Sequence, residues 1–472
     1  MSKIEVNTVA PQCGTTLTLG ESGDTVTLGT GASQSGFGRT GTVNWDTTKK
    51  TTGFTAFSGN GYFCDTAASG AFTLTLPASP SAGDIVGLKD YNGNFATANL
   101  TIGRNGSAIN GGSAIDPVIS TAGAAIFLVY VDGTQGWVAT QDDSSTFAGV
   151  SYITASVSGT CNTITTCGNC KVATFKNPGT FTVCSVASCA GDNLVSYVVV
   201  AGGAGGGLAN VPSGGYSSGG GGGAGGYRET KSPVTPYTAS PLDGYATPGN
   251  RITVTATPYP ITVGGGGGGS SSFVTPGISG GLSTFDSITS AGGGGGASQQ
   301  APAQGVAGGS GGGGAYQAET AGVGNTPPTT PAQGFPGGDS NAPGCYPTRG
   351  ANGGGGGGAT ADGGDTVAAK GGDGGAGATS SIDGTPTARA GGGGGGAYIC
   401  SPAGLSGSGA GGTGGGGPGG CSAGSLNTAP GSAGTQYTGG GGGGGSTKGP
   451  DSGPSTGGGG GSGIVIIRYK FK

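Results

Sequence analysis

The chain has 472 residues, of which 120 are glycine and 26 proline, and this glycine content is far above the usual ~7%. It carries a formal net charge of −4, only 8% charged residues and no histidine. The acidic balance argues against nucleic acid as a partner, because little positive charge is available to displace counterions from a phosphate backbone. The lack of histidine excludes Ser–His and Cys–His catalysis. No apolar run approaches the ~20 residues that span a bilayer, so no membrane insertion is expected.

The N-terminal residues 1–45 contain one short sequence motif twice. TLTLG at Thr16–Gly20 returns as TVTLG at Thr25–Gly29, and each copy alternates so that one face is apolar. Two such strands are not stable alone in water. We therefore predict that other copies of the chain supply the missing partners, as a trimeric β stem; a flexible leader is the alternative. The start, MSKIEVNTVAPQCG, lacks the apolar stretch of a secretory signal.

Residues 46–145 have the composition of an ordinary β domain, with short alternating segments and no helical periodicity. Turn signals at Asn92-Gly93 and Asp132-Gly133 separate them, and DGTQGW is predicted to close a hairpin. We expect a β-sandwich or jelly-roll-like module. A polysaccharide depolymerase in this module is a weaker alternative. The predicted strands are GYFCD (61–65), AFTLTLP (71–77), DIVGLKD (84–90), NLTIG (99–103), AAIFLVYVDG (124–133) and GWVAT (136–140).

Residues 146–201 form a second β region, rich in cysteine, whose last strand LVSYVVVAGG runs directly into glycine. The C-terminal residues 464–472, in GSGIVIIRYKFK, again read as a strand. Two apolar strands that frame a glycine region are expected to be neighbours in one sheet. We predict that 464–472 pairs with the region near 194–200 and ties the two ends together.

The region between them, residues 202–463, is dominated by glycine tracts such as GGGGGGAYIC at 391–400. Strict Gly-X-Y is absent, which excludes collagen. Weak charge and frequent aromatics are unlike disordered chains. We predict a bundle of polyglycine II helices, which have three residues per turn and no internal hydrogen bonds. Their backbones would bond laterally, and glycine would be required because nothing larger fits. The predicted fold class is thus all-β plus polyglycine II, with connecting loops at both ends.

Eight cysteines from residue 161 onward are disulfide candidates, because loop-rich segments with little core need covalent cross-links. Free thiols are one alternative. Another is a zinc site built on the Cys167-x-x-Cys170 spacing with Cys184 and Cys189. We predict no metal and no cofactor. The candidates are Cys161, Cys167, Cys170, Cys184, Cys189, Cys345, Cys400 and Cys421.

The aromatic residues between glycine tracts are the candidate binding residues. Such side chains supply a large contact area at low ordering cost, as binding loops elsewhere show. The alternative is that half of them hold loops against the bundle. The candidates are Tyr245, Phe335, Tyr346, Tyr398 and Tyr437.

Several stretches resemble fibre proteins of tailed bacteriophages, particularly marine ones. They are GDTVTLGTGASQSGFG, TLTLPASPSAGDIVGLKDYNGNFATANLTIGRNGS and LVYVDGTQGW. The second half, from GTFTVCSVASCAGDNLVSYVVVAGGAGGG to GGSGIVIIRYK, resembles the glycine-rich terminal domain of such fibres.

The resemblance implies a non-enzymatic virion appendage, homotrimeric and attached to other virion proteins by its N-terminus. The C-terminal half would touch a host cell-surface receptor, a polysaccharide or an outer-membrane protein. Release by lysis would explain cysteines without an export signal. The alternatives are a structural fibre or capsid decoration protein that recognises no receptor, and a secreted ice- or matrix-binding glycine protein.

Overall fold

The computed structural model describes residues 43–111, 116–141, 152–210, 216–300, 304–316, 320–340, 352–367, 369–398, 406–422, 428–448 and 453–471. Over these ranges the chain is all-β, with two short 3-10 turns at Ala190–Asn193 and Pro248–Asn250 and no α-helix. It divides into two compact units, Met1–Gly149 and Val150–Lys472. The predicted stem lies almost wholly outside the described residues.

The first unit has nine strands in two sheets, which run in the orders β1-β3-β5-β8-β9 and β2-β4-β6-β7. Side chains from both sheets share one core, in which Tyr62, Leu74, Leu88, Ile102 and Trp137 are buried. The strands are β1 (Asn44–Lys50), β2 (Phe54–Thr55), β3 (Asn60–Cys64), β4 (Phe72–Thr75), β5 (Ile85–Asp90), β6 (Leu100–Gly103), β7 (Val118–Ile119), β8 (Ala125–Asp132) and β9 (Gly136–Gln141).

The connections of this unit differ from the expected jelly roll. Strands β1, β3 and β5 pair in parallel, and so do β2, β4 and β6. The chain crosses from one sheet to the other after each strand from β1 to β5 instead of turning back beside it, so successive strands of a sheet point the same way. The later pairs, β5 with β8, β8 with β9 and β6 with β7, are antiparallel. The hairpin predicted from DGTQGW is the turn between β8 and β9.

The second unit has two five- to six-stranded sheets, ordered β10-β13-β18-β19-β20 and β11-β12-β27-β14-β16, and several short ladders. Its strands are β10 (Thr154–Val157), β11 (Thr163–Cys167), β12 (Cys170–Phe175), β13 (Gly179–Ser185), β14 (Leu194–Val200), β15 (Tyr216–Ser218), β16 (Tyr227–Thr230), β17 (Ile252–Thr253), β18 (Pro258–Thr262), β19 (Ser283–Phe285), β20 (Ile288–Ser290), β21 (Ala369–Lys370), β22 (Ala378–Ser380), β23 (Thr387–Arg389), β24 (Ser406–Gly407), β25 (Thr428–Ala429), β26 (Ser446–Lys448) and β27 (Ile464–Lys470).

The C-terminal strand β27 lies at the centre of its sheet, antiparallel to β14 on one side and to β12 on the other. Val200 is opposite Ile464, so the chain enters the glycine-rich region beside the point where it leaves. The two large sheets enclose a core that includes Phe181, Tyr197, Phe285 and Tyr469, all fully buried. This apolar core supplies the hydrophobic stabilisation that glycine segments cannot provide.

The glycine-rich region consists of extended segments that run side by side and bond laterally through their backbones. In the segment 201–209, residues three apart donate to the same neighbour. Gly202 and Gly205 donate to Gly281 and Ile278, at 2.9 and 3.0 Å. The residues between them donate in the other directions: Gly203 and Gly206 to Gly461 and Gly458, and Ala204 and Gly207 to Gly223 and Gly220.

Interior segments are surrounded by other segments on all sides. The residues of 201–209 are all buried, and so are those of 219–226 and 391–397. Their buried amides find partners in neighbouring backbones, as buried polar groups must. A side chain would prevent this approach: a Cβ added to Gly222 would overlap the carbonyl oxygen of Ala204. Close backbone contact is therefore the physical reason for glycine here.

Candidate functional site

The glycine-rich bundle has two ends with different surroundings. Strands β14, β16 and β27 continue directly into or out of glycine segments at Ala201, Gly226 and Gly463, and we call this the sheet end. The opposite end, here the far end, is where the segments turn near Leu208, Ser218, Ser298, Ala397, Cys421, Ser446 and Ser455. These residues are joined in one network by the β15-β26-β25 ladder, by the bridges Ala209–Ser455 and Ala397–Cys421, and by side-chain hydrogen bonds.

Buried hydroxyl groups are concentrated at the far end. Ser446 Oγ donates to Ala397 O at 2.6 Å and lies 3.1 Å from Ser422 Oγ. Ser217 and Thr447 are opposite each other in register. Buried polar atoms normally have a partner, so unused hydrogen-bonding capacity marks a place where water or a ligand group can bind. Among the described residues, the buried hydroxyls without a partner at this end are those of Ser217, Ser218, Thr447 and Ser455.

Of the five candidate aromatics, Tyr398 lies at the far end. Its side chain is 7% exposed, and its backbone N–H donates to Asn352 Oδ1 at 3.4 Å. Tyr346 lies outside the described residues, between the segment that ends at Ser340 and the one that begins at Asn352. Both of these flanking residues are at the far end, because Asn352 Oδ1 accepts the Tyr398 N–H and Ser340 Oγ donates to Asn352 O at 2.8 Å.

The other three candidates lie elsewhere. Tyr245 is beside the sheet, where Arg251 lies 4.4 Å above its ring and donates through Nε to its carbonyl. Tyr437 is at the sheet end, with Lys176 Nζ 5.2 Å from its ring. Phe335 belongs to a bundle segment, and its carbonyl accepts a hydrogen bond from Gly311. A binding role for these three residues stays a prediction.

A buried polar cluster at the sheet end fixes the loops there. Glu229 is 2% exposed and accepts hydrogen bonds from Tyr227 Oη at 2.8 Å, Ser240 N at 3.0 Å and Ser380 Oγ at 2.6 Å. Burial, and then the Glu229 carboxylate, raises the pKa of Tyr227 well above its usual value. Since both groups are removed from solvent, the cluster is a structural anchor and not an accessible site.

Five of the predicted disulfide cysteines carry free thiols, namely Cys161, Cys167, Cys170, Cys184 and Cys189. The expected disulfide cross-links are not formed among them, because the region already has the apolar core of two packed sheets. Cys421, at the far end, is disulfide-bonded. Cys345 and Cys400 lie outside the described residues.

The thiols should differ strongly in reactivity. We expect rapid alkylation of Cys161, Cys184 and Cys189, which are exposed, and at least 100-fold slower alkylation of Cys64 and Cys170, which are buried. Burial raises the pKa of Cys64 to about 12 and also raises that of Cys170, and the thiolate is the reactive form. Peptide mass spectrometry after timed alkylation of the native protein measures this. If the exposed three react only after reduction, they are disulfide-bonded after all.

The described residues offer no site for a metal: nowhere in these ranges do three or more Cys, Asp or Glu side chains come together as ligands. The zinc alternative built on Cys167, Cys170, Cys184 and Cys189 therefore has no support from the geometry. In the same ranges no helix is long and apolar enough to cross a membrane.

Sequence reasoning missed several bundle segments that are not glycine runs. Residues 277–281 (GISGG), 304–308 (QGVAG), 320–324 (TAGVG) and 431–435 (GSAGT) read as loops, yet they bond laterally like the tracts. The signal was available, because three of the four carry glycine at positions three apart. Such spacing places a glycine on the crowded side at each turn of a three-residue helix.

Taken together, the all-β fold and the laterally bonded glycine segments define an all-β, glycine-rich protein. The family model described as a glycine-rich domain matches residues 174–470, more than half of the chain. The chain belongs to this glycine-rich domain family. No curated protein matches the sequence.

Proposed function

We propose that this protein is a bacteriophage tail-fibre adhesin, a non-enzymatic virion component that attaches the particle to a host cell surface. The observation that carries the proposal is the lateral hydrogen bonding of the glycine segments, which gives the connections at the far end a rigid base. Binding loops on a rigid scaffold lose little freedom when they engage a ligand. The resemblance to phage fibre proteins supplies the virion context.

The bundle segments are, in this proposal, polyglycine II helices. Support comes from the three-residue repeat of the hydrogen-bond partners, which matches three residues per turn. Segments of this kind make no internal hydrogen bonds, so the lateral ones carry the whole structure. The proposal includes a homotrimer attached to other virion proteins through residues 1–45. This part of the proposal rests on the repeated strand motif alone. Several trimeric fibres per particle would raise avidity without a strong single site.

Within this proposal the receptor-binding candidates are Tyr398, at the far end, and Tyr346, which lies in sequence between the far-end residues Ser340 and Asn352. The proposed receptor is a polysaccharide or an outer-membrane protein of the host. The buried far-end hydroxyls of Ser217 and Thr447, which have no partner among the described residues, favour a ligand that can donate and accept hydrogen bonds. No cofactor is involved.

Exchanging one candidate tyrosine at a time tests the proposal. We expect Tyr346→Ala to weaken binding of the purified protein to host cells about tenfold, since a well-placed interface tyrosine contributes about 1–2 kcal/mol. Tyr437→Ala, at the sheet end, is the matched control and should bind like the wild type. Binding is measured by competition with adsorption of the intact phage. Adsorption that purified wild-type protein does not reduce would instead favour the structural or decoration role.

A further inference from the structure

One edge of the bundle is formed by the segment Gly264–Gly269. It hydrogen-bonds to three other segments, 201–209, 277–281 and 457–463, which all lie on its inner side. On its outer side Gly265, Gly266 and Gly268 are exposed. A Cβ added to Gly265 would meet no atom within 4 Å. Unlike the interior segments, this one is bonded on one side only.

The outer side presents both hydrogen-bond donors and hydrogen-bond acceptors of the backbone that are unpaired. The N–H groups of Gly265, Gly266, Gly268 and Gly269 have no partner within the described part of the chain, and neither have the carbonyls of Gly266 and Gly269. Donors and acceptors are therefore mixed along one exposed row. The inner side of the same segment bonds to its neighbours through groups of the same two kinds.

Apolar side chains flank this row. Ile278 is 63% exposed and Leu282 49%, while Phe273 and Val274 are exposed to 37% and 41%. The Ile278 side chain lies 3.5 Å from the position of a Cβ on Gly268, so it borders the row directly. We call Gly264–Gly269 with these four side chains the uncharged edge, because residues 252–285 contain no charged residue. Contiguous exposed apolar surface of this kind marks an interaction site.

Another edge of the bundle is closed by acidic side chains. Asp339 Oδ1 accepts the Ala321 N–H at 2.8 Å, Asp365 Oδ1 accepts the Asp339 N–H at 2.8 Å, and Asp373 Oδ1 accepts the Ala410 N–H at 2.7 Å. These carboxylates satisfy edge amides and add charge, which is how proteins keep open backbone edges from pairing with other chains. The uncharged edge has no such protection.

We propose that the uncharged edge binds the same edge of a second copy of this chain. A contact around a twofold axis brings each row of donors against the acceptors of the other copy, and it covers the apolar side chains of both. The lack of charge removes the repulsion that would oppose self-pairing. It also gives a charged ligand nothing to bind. Each copy thereby gains the neighbour that interior segments already have.

This contact is separate from the trimeric stem and from receptor binding at the far end. Whatever number of chains the N-terminal residues hold together, two such assemblies pair through this contact. Analytical ultracentrifugation of the full chain tests it. We expect the double variant Ile278→Asp/Leu282→Asp to have half the mass of the wild-type assembly, because two exposed carboxylates per copy would face their counterparts. Both side chains are largely exposed, so the fold should be unaffected.

The matched control is Val323→Asp/Val367→Asp, which places the same charges at side chains that are each 61% exposed on other parts of the bundle. It should keep the wild-type mass. Hydrogen exchange at Gly265, Gly266 and Gly268 should also slow as the wild-type concentration rises. Equal masses for all three proteins, or exchange that does not depend on concentration, would overturn the proposal. Host-cell binding by the edge variant should persist in either case, which separates this test from that of the adhesin.

Discussion

Gly222→Ala is expected to lower the free energy of unfolding of the second unit by about 3 kcal/mol or more, the upper range for overpacking. Gly222 donates to Gly442 O at 2.8 Å and accepts from Gly393 N at 2.9 Å, while its Cα lies against the Ala204 carbonyl. The backbones around it are held by their own hydrogen bonds, so the added methyl group can be accommodated only by breaking some of them. Chemical denaturation with a probe in the second unit measures the change.

Gly459→Ala is the matched control. It also replaces glycine in a glycine tract, but its methyl group would meet only the carbonyl oxygen of Gly267, at 3.5 Å, which is an ordinary van der Waals contact, and its φ is not in the left-handed region. We expect a change close to zero, or a gain of about 0.5–1 kcal/mol from the lower entropy of the unfolded chain. Equal losses in the two variants would mean that glycine is required for its flexibility and not for close packing.

Much of the fold could be predicted because it depends on local pattern. The apolar strands that end at Val200 and begin at Ile464 stand out from the glycine around them, and the structure pairs them. Strand direction in the first unit could not be predicted in the same way. The segment DIVGLKD is a strand in either topology, and whether it pairs in parallel with β3 depends on where the preceding loop crosses, which no local pattern shows.

The candidate site was harder to predict because it depends on how many times the chain reverses. Each bundle segment carries the chain from one end to the other, so successive connections alternate between the ends. Missing a segment such as 277–281 therefore moves every later loop to the wrong end. Tyr437 reads as a loop residue like Tyr398, and only the full set of segments places them at opposite ends.

Alkaline pH is expected to unfold the second unit steeply. Burial raises the pKa of Tyr197 and of Tyr469 to about 12, and raises that of Tyr227 well above its usual value. An unfolded tyrosine loses its proton near pH 10. Above pH 10 the unfolded state therefore binds fewer protons than the native state, and stability falls as the pH rises. Tyr237, whose pKa burial also raises well above its usual value, is a fourth such group. Four groups give a slope of about 5 kcal/mol per pH unit between about pH 10.5 and 12, measurable by denaturation at a series of pH values.

Tyr469→Phe isolates one of these groups. Among the described residues the Tyr469 hydroxyl has no hydrogen-bond partner although it is buried, so its removal should cost no stability at pH 7 and should reduce the alkaline slope by about one quarter. Tyr227→Phe also removes one titrating group, but it takes away a hydrogen bond to buried Glu229 and should cost about 1–3 kcal/mol at neutral pH. The contrast separates titration from lost bonding. A slope that neither variant changes would mean that other groups control the alkaline transition.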